Sequence, residues 1–293
     1  MNPVVERSLL WQLVMASRPL SWVNTAYPFA AAYLMATRDV DARLVIGTIF
    51  FLVPYNLLMY GINDVFDHES DLRNPRKGGV EGALLDPRVH RATVLSASLL
   101  PLPFVAYLLA VGSPAASAVL AVSLFAVVAY SAPRLRFKER PVLDSMTSST
   151  HFVSPALYGL VLAGEGIGRS AWLVLAAFFL WGMASQAFGA VQDIAADRAG
   201  GIGSIATVLG AATTVRFSIA AWFGAGALLL ATSWPGPLAA LLVAPYLALA
   251  WPFRSVPEDD ADRANRGWRQ FLVANYGVGF LVTMLLIAVA LRG

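Results

Sequence analysis

The chain contains no cysteine in its 293 residues. That excludes disulfides, thiolate nucleophiles, iron–sulfur ligation and thioether-linked haem. Histidine is almost as scarce: His68, His90 and His151 are the only three, too scattered for a histidine-rich metal site. Charge is low as well. Charged residues make up 13% of the chain, against about 25% in soluble domains. What fills the space is apolar: 58% of residues are hydrophobic, and the mean hydropathy is +0.64. These proportions imply an all-α integral membrane protein whose expected partner is a lipid bilayer and not nucleic acid. Glu6, Arg7 and Arg18 interrupt the N-terminal apolar stretch, so it does not have the form of a signal peptide.

Apolar runs near the roughly 20 residues a membrane helix needs fall at 19–37, 43–62, 92–111, 115–132, 143–163, 171–191, 213–231, 235–253 and 270–290. The expectation is about nine transmembrane helices in one bundle, forming a single domain over residues 1–293. Prolines such as Pro54, Pro101, Pro103 and Pro155 fall inside these runs, which membrane helices tolerate when neighbours satisfy the freed backbone groups. With the N-terminus inside, the cytoplasmic segments would hold seventeen of the 21 Lys and Arg, and the outer segments four. The positive-inside rule therefore favours a cytoplasmic N-terminus and an external C-terminus.

The most informative stretch lies just past the second run: Asn63-Asp64-Val65-Phe66-Asp67-His68-Glu69-Ser70-Asp71. On a helix, Asn63, Asp67 and Asp71 share one face at i, i+4 and i+8, with Asp64 at its edge. Such carboxylates repel one another at a membrane boundary unless a hard cation joins them. Mg²⁺ takes oxygen ligands, usually one or two carboxylates, with phosphate and water completing the octahedron. Arg73, Arg76 and Lys77 come next, and such cations suit phosphate oxygens. The plainer reading is a solvated acidic loop with a basic tail. A second pair, Asp193 and Asp197, again at i, i+4 and again just past an apolar run, favours metal-assisted handling of a diphosphate at the cytoplasmic face.

Other polar positions divide between packing and chemistry. Arg18 opens the first run as an interface anchor or a substrate contact. Asn24, about a turn deeper, either hydrogen-bonds a neighbouring helix or borders a substrate chamber. The loop holding Tyr130, Arg134, Arg136, Lys138 and Arg140 is either a topology signal with lipid contacts or a cationic wall for the diphosphate. Thr147-Ser148-Ser149-Thr150 is a hydroxyl patch suited to close helix packing, and His151 beside it is an ionisable group at membrane depth. Gly201-x-Gly203-x-x-Ala206 imitates a dinucleotide fingerprint but comes after a membrane helix rather than a strand, so its glycines are read as turn formers. Glu258, Asp259, Asp260 and Asp262 are read as a solvated loop.

The two Asp motifs in a bundle of membrane helices resemble the UbiA superfamily of intramembrane prenyltransferases. Within it, the stretches 17–29, 59–67, 73–82, 130–133, 147–152 and 180–186 are most similar to lycopene elongases of fifty-carbon carotenoid pathways. The resemblance implies a UbiA-type fold and transfer of five-carbon units from dimethylallyl diphosphate to the ends of lycopene with Mg²⁺. It places Asn63, Asp64, Asp67, Asp71, Asp193 and Asp197 around the metal, and it implies other carotenoid enzymes as partners. Arg73, Lys77, Tyr130, Arg134, Arg136 and Lys138 are then candidates for the diphosphate, Arg18 and Asn24 for substrate, and His151 for a proton or water step. Trp22, Tyr27, Phe66, Trp181 and Phe188 would line an apolar chamber. Rival readings are the same chemistry on a quinone precursor, haem or chlorophyll-like acceptor, and a divalent-cation transporter, which would place its carboxylates nearer mid-membrane.

Overall fold

A computed structural model describes residues 8–72, 84–164 and 166–292. The described residues form helices and no strands, and the chain divides into two compact units, 1–136 with 154–164 and 137–153 with 165–293.

The first unit holds α1 (Leu9–Ala16), α2 (Val23–Thr37), α3 (Ala42–Leu52), α4 (Ile62–Phe66), α5 (His68–Asp71), α6 (His90–Leu99), α7 (Leu102–Val111) and α8 (Pro114–Ser131). It also takes the second half of α9 (Leu143–Leu162). Local signals start several of these helices. The carboxylate of Asp41 accepts from the Leu44 N–H at 2.9 Å, and Ser113, just before Pro114 at the first helical position, accepts from the Ala116 N–H at 3.2 Å. Pro101 divides the expected run 92–111 into α6 and α7, because proline has no N–H and crowds the preceding turn. The run 43–62 is interrupted too: Pro54 opens a turn at Pro54–Asn56, which leads into a π-helical segment, Leu57–Gly61. Phe29, Phe50, Phe51, Tyr55 and Tyr158 form the aromatic centre of this unit, with Phe50–Phe51 centroids 4.8 Å apart and Phe29–Phe51 5.1 Å apart.

The second unit holds the first half of α9, then α10 (Arg169–Val191), α11 (Ile194–Ala199), α12 (Ile205–Leu209), α13 (Ala211–Leu230), α14 (Ala244–Ala250) and α15 (Ala264–Ala290). Prolines 237 and 245 precede or open segments in the run 235–253, whose first part is the 3-10 helix Gly236–Val243. Its core stacks Trp222, Tyr246, Trp268 and Phe271, the last two 4.9 Å apart. Phe188, read from sequence as chamber lining, is buried here against Trp222 and Phe253. Aromatic composition alone could not separate a packed ring from a lining one.

Seven helical runs among the described residues are long and apolar enough to cross a membrane, and the protein is a multi-pass membrane protein. The count of nine is not reached on that measure. Of the other two expected spans, α2 has only 15 residues, and α9 carries Asp144, His151 and a run of hydroxyl side chains.

Candidate active site

In the first unit, the site is assembled around the π segment. Asn56 is fully buried and donates through Nδ2 to Thr25 Oγ1 at 2.7 Å, the Phe51 carbonyl at 2.8 Å and the Leu52 carbonyl at 3.0 Å. Thr25 in turn donates to the Phe51 carbonyl at 2.6 Å. In lipid, where apolar surface gives helices no preference for one another over acyl chains, such interhelical bonds and close packing hold the register. A π segment is frequent at functional sites, and its extra residue rotates the next turn of helix to a new direction. Directly after Gly61, that next turn carries the first Asp motif.

Asn63, Asp64 and Asp67 are all buried. The Asn63 side-chain carbonyl accepts from Ser131 Oγ at 2.9 Å. Asp64 pairs with Arg18 at 2.9 Å, and the Arg18 guanidinium lies over the Tyr60 ring, 4.1 Å from its centroid. Asp67 closes the helical turn by its N–H to the Asn63 carbonyl at 2.9 Å, and its carboxylate meets Arg136 at 3.4 Å. The helix breaks at Asp67 before α5, so the expected unbroken face from 63 to 71 is interrupted there. The side chain of Asp71, and Arg73 and Lys77 altogether, lie outside the described residues. Arg18, Arg134 and Arg136 adopt φ of +52, +74 and +39 degrees. Non-glycine residues rarely take that conformation unless surrounding structure imposes it, and such positions concentrate at functional sites. Tyr130, at the end of α8, is half-buried, as is Lys138 just beyond Arg136. Asn24 is exposed and makes no hydrogen bond among the described residues; Thr25, its neighbour, makes the interhelical bond that the sequence left open to Asn24.

In the second unit, α10 ends at Val191, and the chain restarts as α11 with Asp193 at its N-cap. The Asp197 N–H bonds the Asp193 carbonyl at 2.8 Å, so the two carboxylates stand one helical turn apart. The loop beyond is held by several anchors. Asp197 accepts from Ser204 Oγ at 3.5 Å, and Ser204 and Thr207 cap α12 reciprocally. Gly201 takes φ +68 degrees, and a Cβ at Gly203 would meet the Glu139 carbonyl oxygen at 2.7 Å, which accounts for the glycines. Buried Asp144 accepts from the Ile205 N–H at 2.8 Å. Next to Asp193, Gln192 accepts from Asn265, whose own carbonyl accepts from Arg269 Nε at 2.7 Å. Glu258, expected in a solvated loop, is exposed and pairs with Arg198, and this hydrogen bond raises the guanidinium above its usual pKa. His151 is buried in α9; nearby, Ser148 donates to Gln186 at 3.0 Å and Ser149 to the Phe179 carbonyl at 2.7 Å.

The donors of the first motif are oxygens, as Mg²⁺ requires. Among the described residues no group of three or more His, Cys, Asp or Glu is gathered to hold a metal without help. Sequence reasoning missed Thr25, Asn56, Ser131, Asp144 and Asn265, because each owes its role to a partner far along the chain.

The chain is 54% identical over 280 residues to the C(50) beta-cyclic carotenoids biosynthesis protein LbtBC of Dietzia sp. (strain CQ4), covering 95% of this chain and 65% of that one. It therefore spans just under two thirds of that relative's length. It is 47% identical over 277 residues to the lycopene elongase/hydratase of Corynebacterium glutamicum, covering 94% of this chain and 96% of that one. Among solved structures, the apo structure of a UbiA homolog from Aeropyrum pernix K1 matches with a TM-score of 0.68 at 22% identity, covering 92% of this chain and 99% of that one. A UbiA homolog from Archaeoglobus fulgidus bound to DMAPP and Mg²⁺ matches with a TM-score of 0.63 at 16% identity, over 91% of this chain and 98% of that one. The sequence model of the UbiA prenyltransferase family matches residues 25–290, and the chain belongs to that family.

Proposed function

We propose that the protein transfers five-carbon groups from dimethylallyl diphosphate to the ends of lycopene, acting as a lycopene elongase. The observation that carries this reading is the 47% identity, over nearly the full length of both chains, to a lycopene elongase/hydratase. The buried Asp64 and Asp67 of the first unit, with the part-exposed Arg18 and Arg136 that pair with them, supply chemistry suited to a diphosphate. One family match across residues 25–290 supports reading the chain as a single catalytic domain. On this reading the N-terminus and both Asp motifs face the cytoplasm, and other carotenoid enzymes supply the lycopene.

Asn63, Asp64, Asp67 and Asp71 in the first motif, and Asp193 and Asp197 in the second, are each assigned to hold Mg²⁺. When bound, the metal supplies Lewis-acid stabilisation of the charge that gathers on the departing diphosphate. Arg136, already at the Asp67 carboxylate, is placed to donate to a phosphate oxygen as the allylic C–O bond breaks and its electron pair leaves with the diphosphate. Arg134, Lys138, Arg73, Lys77 and Tyr130 are assigned the same role. Arg18 pairs directly with Asp64, and with Asn24 it is assigned to border the substrate. The terminal alkene of lycopene forms the new C–C bond, and the resulting tertiary cation loses a proton or takes up water. His151 is assigned to that final step. An alkene nucleophile needs no general base to begin, in keeping with surroundings dominated by apolar side chains.

The test is incubation of the purified protein with lycopene, dimethylallyl diphosphate and Mg²⁺, read by mass. Products longer by one or two five-carbon units, lost on chelation and lost again in Asp67→Asn and in Asp193→Asn, are expected. Prenylation of a quinone precursor with lycopene untouched would overturn the acceptor assignment. Full turnover in chelator would overturn the role of the Asp motifs.

A further inference from the structure

The start of α15 carries a feature to which the proposed reaction assigns no role. Arg263, Arg266 and Gln270 line a cleft of about 390 Å³, together with Phe253, Ser255 and Pro257. Arg266 and Gln270, with Arg269, also line a second cleft of about 290 Å³. No carboxylate lines either one. Arg263 is bonded to Asp260 at 3.3 Å, and Arg269 gives its Nε to Asn265. Arg266 makes no hydrogen bond or ion pair among the described residues and is exposed. Nearby, Arg254 stacks on the Trp251 ring at 4.6 Å, and Arg216 donates to the Arg254 carbonyl at 2.9 Å.

The same face of α15 then changes character. Residues 266, 269, 273, 276 and 280 recur at helical spacing on one stripe. Val273, Tyr276 and Phe280 on that stripe are 72%, 70% and 62% exposed. From Val273 to Ile287 the helix rises about 21 Å at 1.5 Å per residue, enough to lie alongside one leaflet's acyl chains. A guanidinium cleft running into a bare apolar stripe matches a molecule with an anionic head and a hydrocarbon tail. Simple interface anchoring of arginines needs neither the cleft nor an unpaired Arg266.

We propose that this cleft binds the phosphate-bearing headgroup of an anionic phospholipid, whose acyl chains run along Val273, Tyr276 and Phe280. The probe is phosphatidylglycerol. The purified full chain is exchanged into bilayer discs of phosphatidylcholine with phosphatidylglycerol, and the retained lipids are counted by native mass spectrometry. Wild type is expected to retain phosphatidylglycerol over phosphatidylcholine by roughly tenfold, the effect of one or two arginines on an anionic headgroup. The preference should collapse towards parity in Arg266→Gln and in Arg263→Gln/Arg266→Gln, and survive in Arg169→Gln/Arg292→Gln. Equal retention in wild type, or an undiminished preference in Arg266→Gln, overturns the proposal. So does displacement of the lipid by millimolar inorganic phosphate or diphosphate, which would make the cleft a small-anion site. A second measurement needs no variant: wild type is photo-crosslinked with a diazirine-bearing phosphatidylglycerol. Adducts concentrated in residues 263–280 support the site, and adducts spread evenly over the exposed helices refute it.

Discussion

Replacing Arg18 with methionine should destabilise the protein more than any exposed charge change. The Asp64 side chain is fully buried, and Arg18 is only 18% exposed, with 2.9 Å between them. Opposite charges about 4 Å apart at an effective dielectric near 20 attract by about 4 kcal/mol. Removing one partner of a buried pair typically costs about 3–5 kcal/mol, because the other charge stays desolvated. The slight exposure of Arg18 puts this case at the lower end, about 3 kcal/mol, which is somewhat more than a hundredfold in the unfolding equilibrium. Replacing both residues, Arg18→Met with Asp64→Leu, should recover most of that loss, since an apolar pair of similar volume leaves no buried charge. Reversible unfolding in mixed micelles, monitored by far-UV circular dichroism for wild type, both single variants and the double, closes the cycle. A loss below about 1 kcal/mol in Arg18→Met, or a double variant that loses the sum of the singles, would refute the reasoning.

Other contacts lead to three further expected outcomes. Asp144→Ala strips the partner from the buried Ile205 N–H; it should cost about 1–3 kcal/mol in the same unfolding assay and weaken Mg²⁺-dependent activation through the Asp197 loop. Asn56→Leu removes three donated hydrogen bonds at about 0.6 kcal/mol each in a membrane interior, and hydrogen exchange in 54–62 should rise. Arg136→Gln should raise the KM for dimethylallyl diphosphate about tenfold or more, the worth of a hydrogen bond to a charged group; it also takes this partner from the buried Asp67 carboxylate, so stability should fall, by less than in Arg18→Met because the pair is longer and Arg136 more exposed.

The sequence alone determined the solvent. Low charge, apolar runs of spanning length and the crowding of cations into alternate segments are matters of composition and order. The Asp motifs stood out for the same reason: i, i+4 spacing marks side chains that would share a helix face before any packing is known, although the break at Asp67 interrupts the first of these faces. Spacing also placed the turn glycines, and Gly201 is found at positive φ.

Tertiary structure decided whom each side chain meets. Arg18 finds Asp64 46 residues on, Ser131 finds Asn63 across 68, and Asp144 finds Ile205 across 61. No local period encodes such pairs, because they depend on which helices pack together and in what register. The same holds for the π segment ahead of Asn63, for the ring of Phe188 buried in a core where a chamber wall was expected, and for the pairing of exposed Glu258 with Arg198. The order of the chain set the faces of its helices; only their packing chose the partner for each face, since a buried charge or hydrogen-bonding group is stable only where the fold supplies its complement.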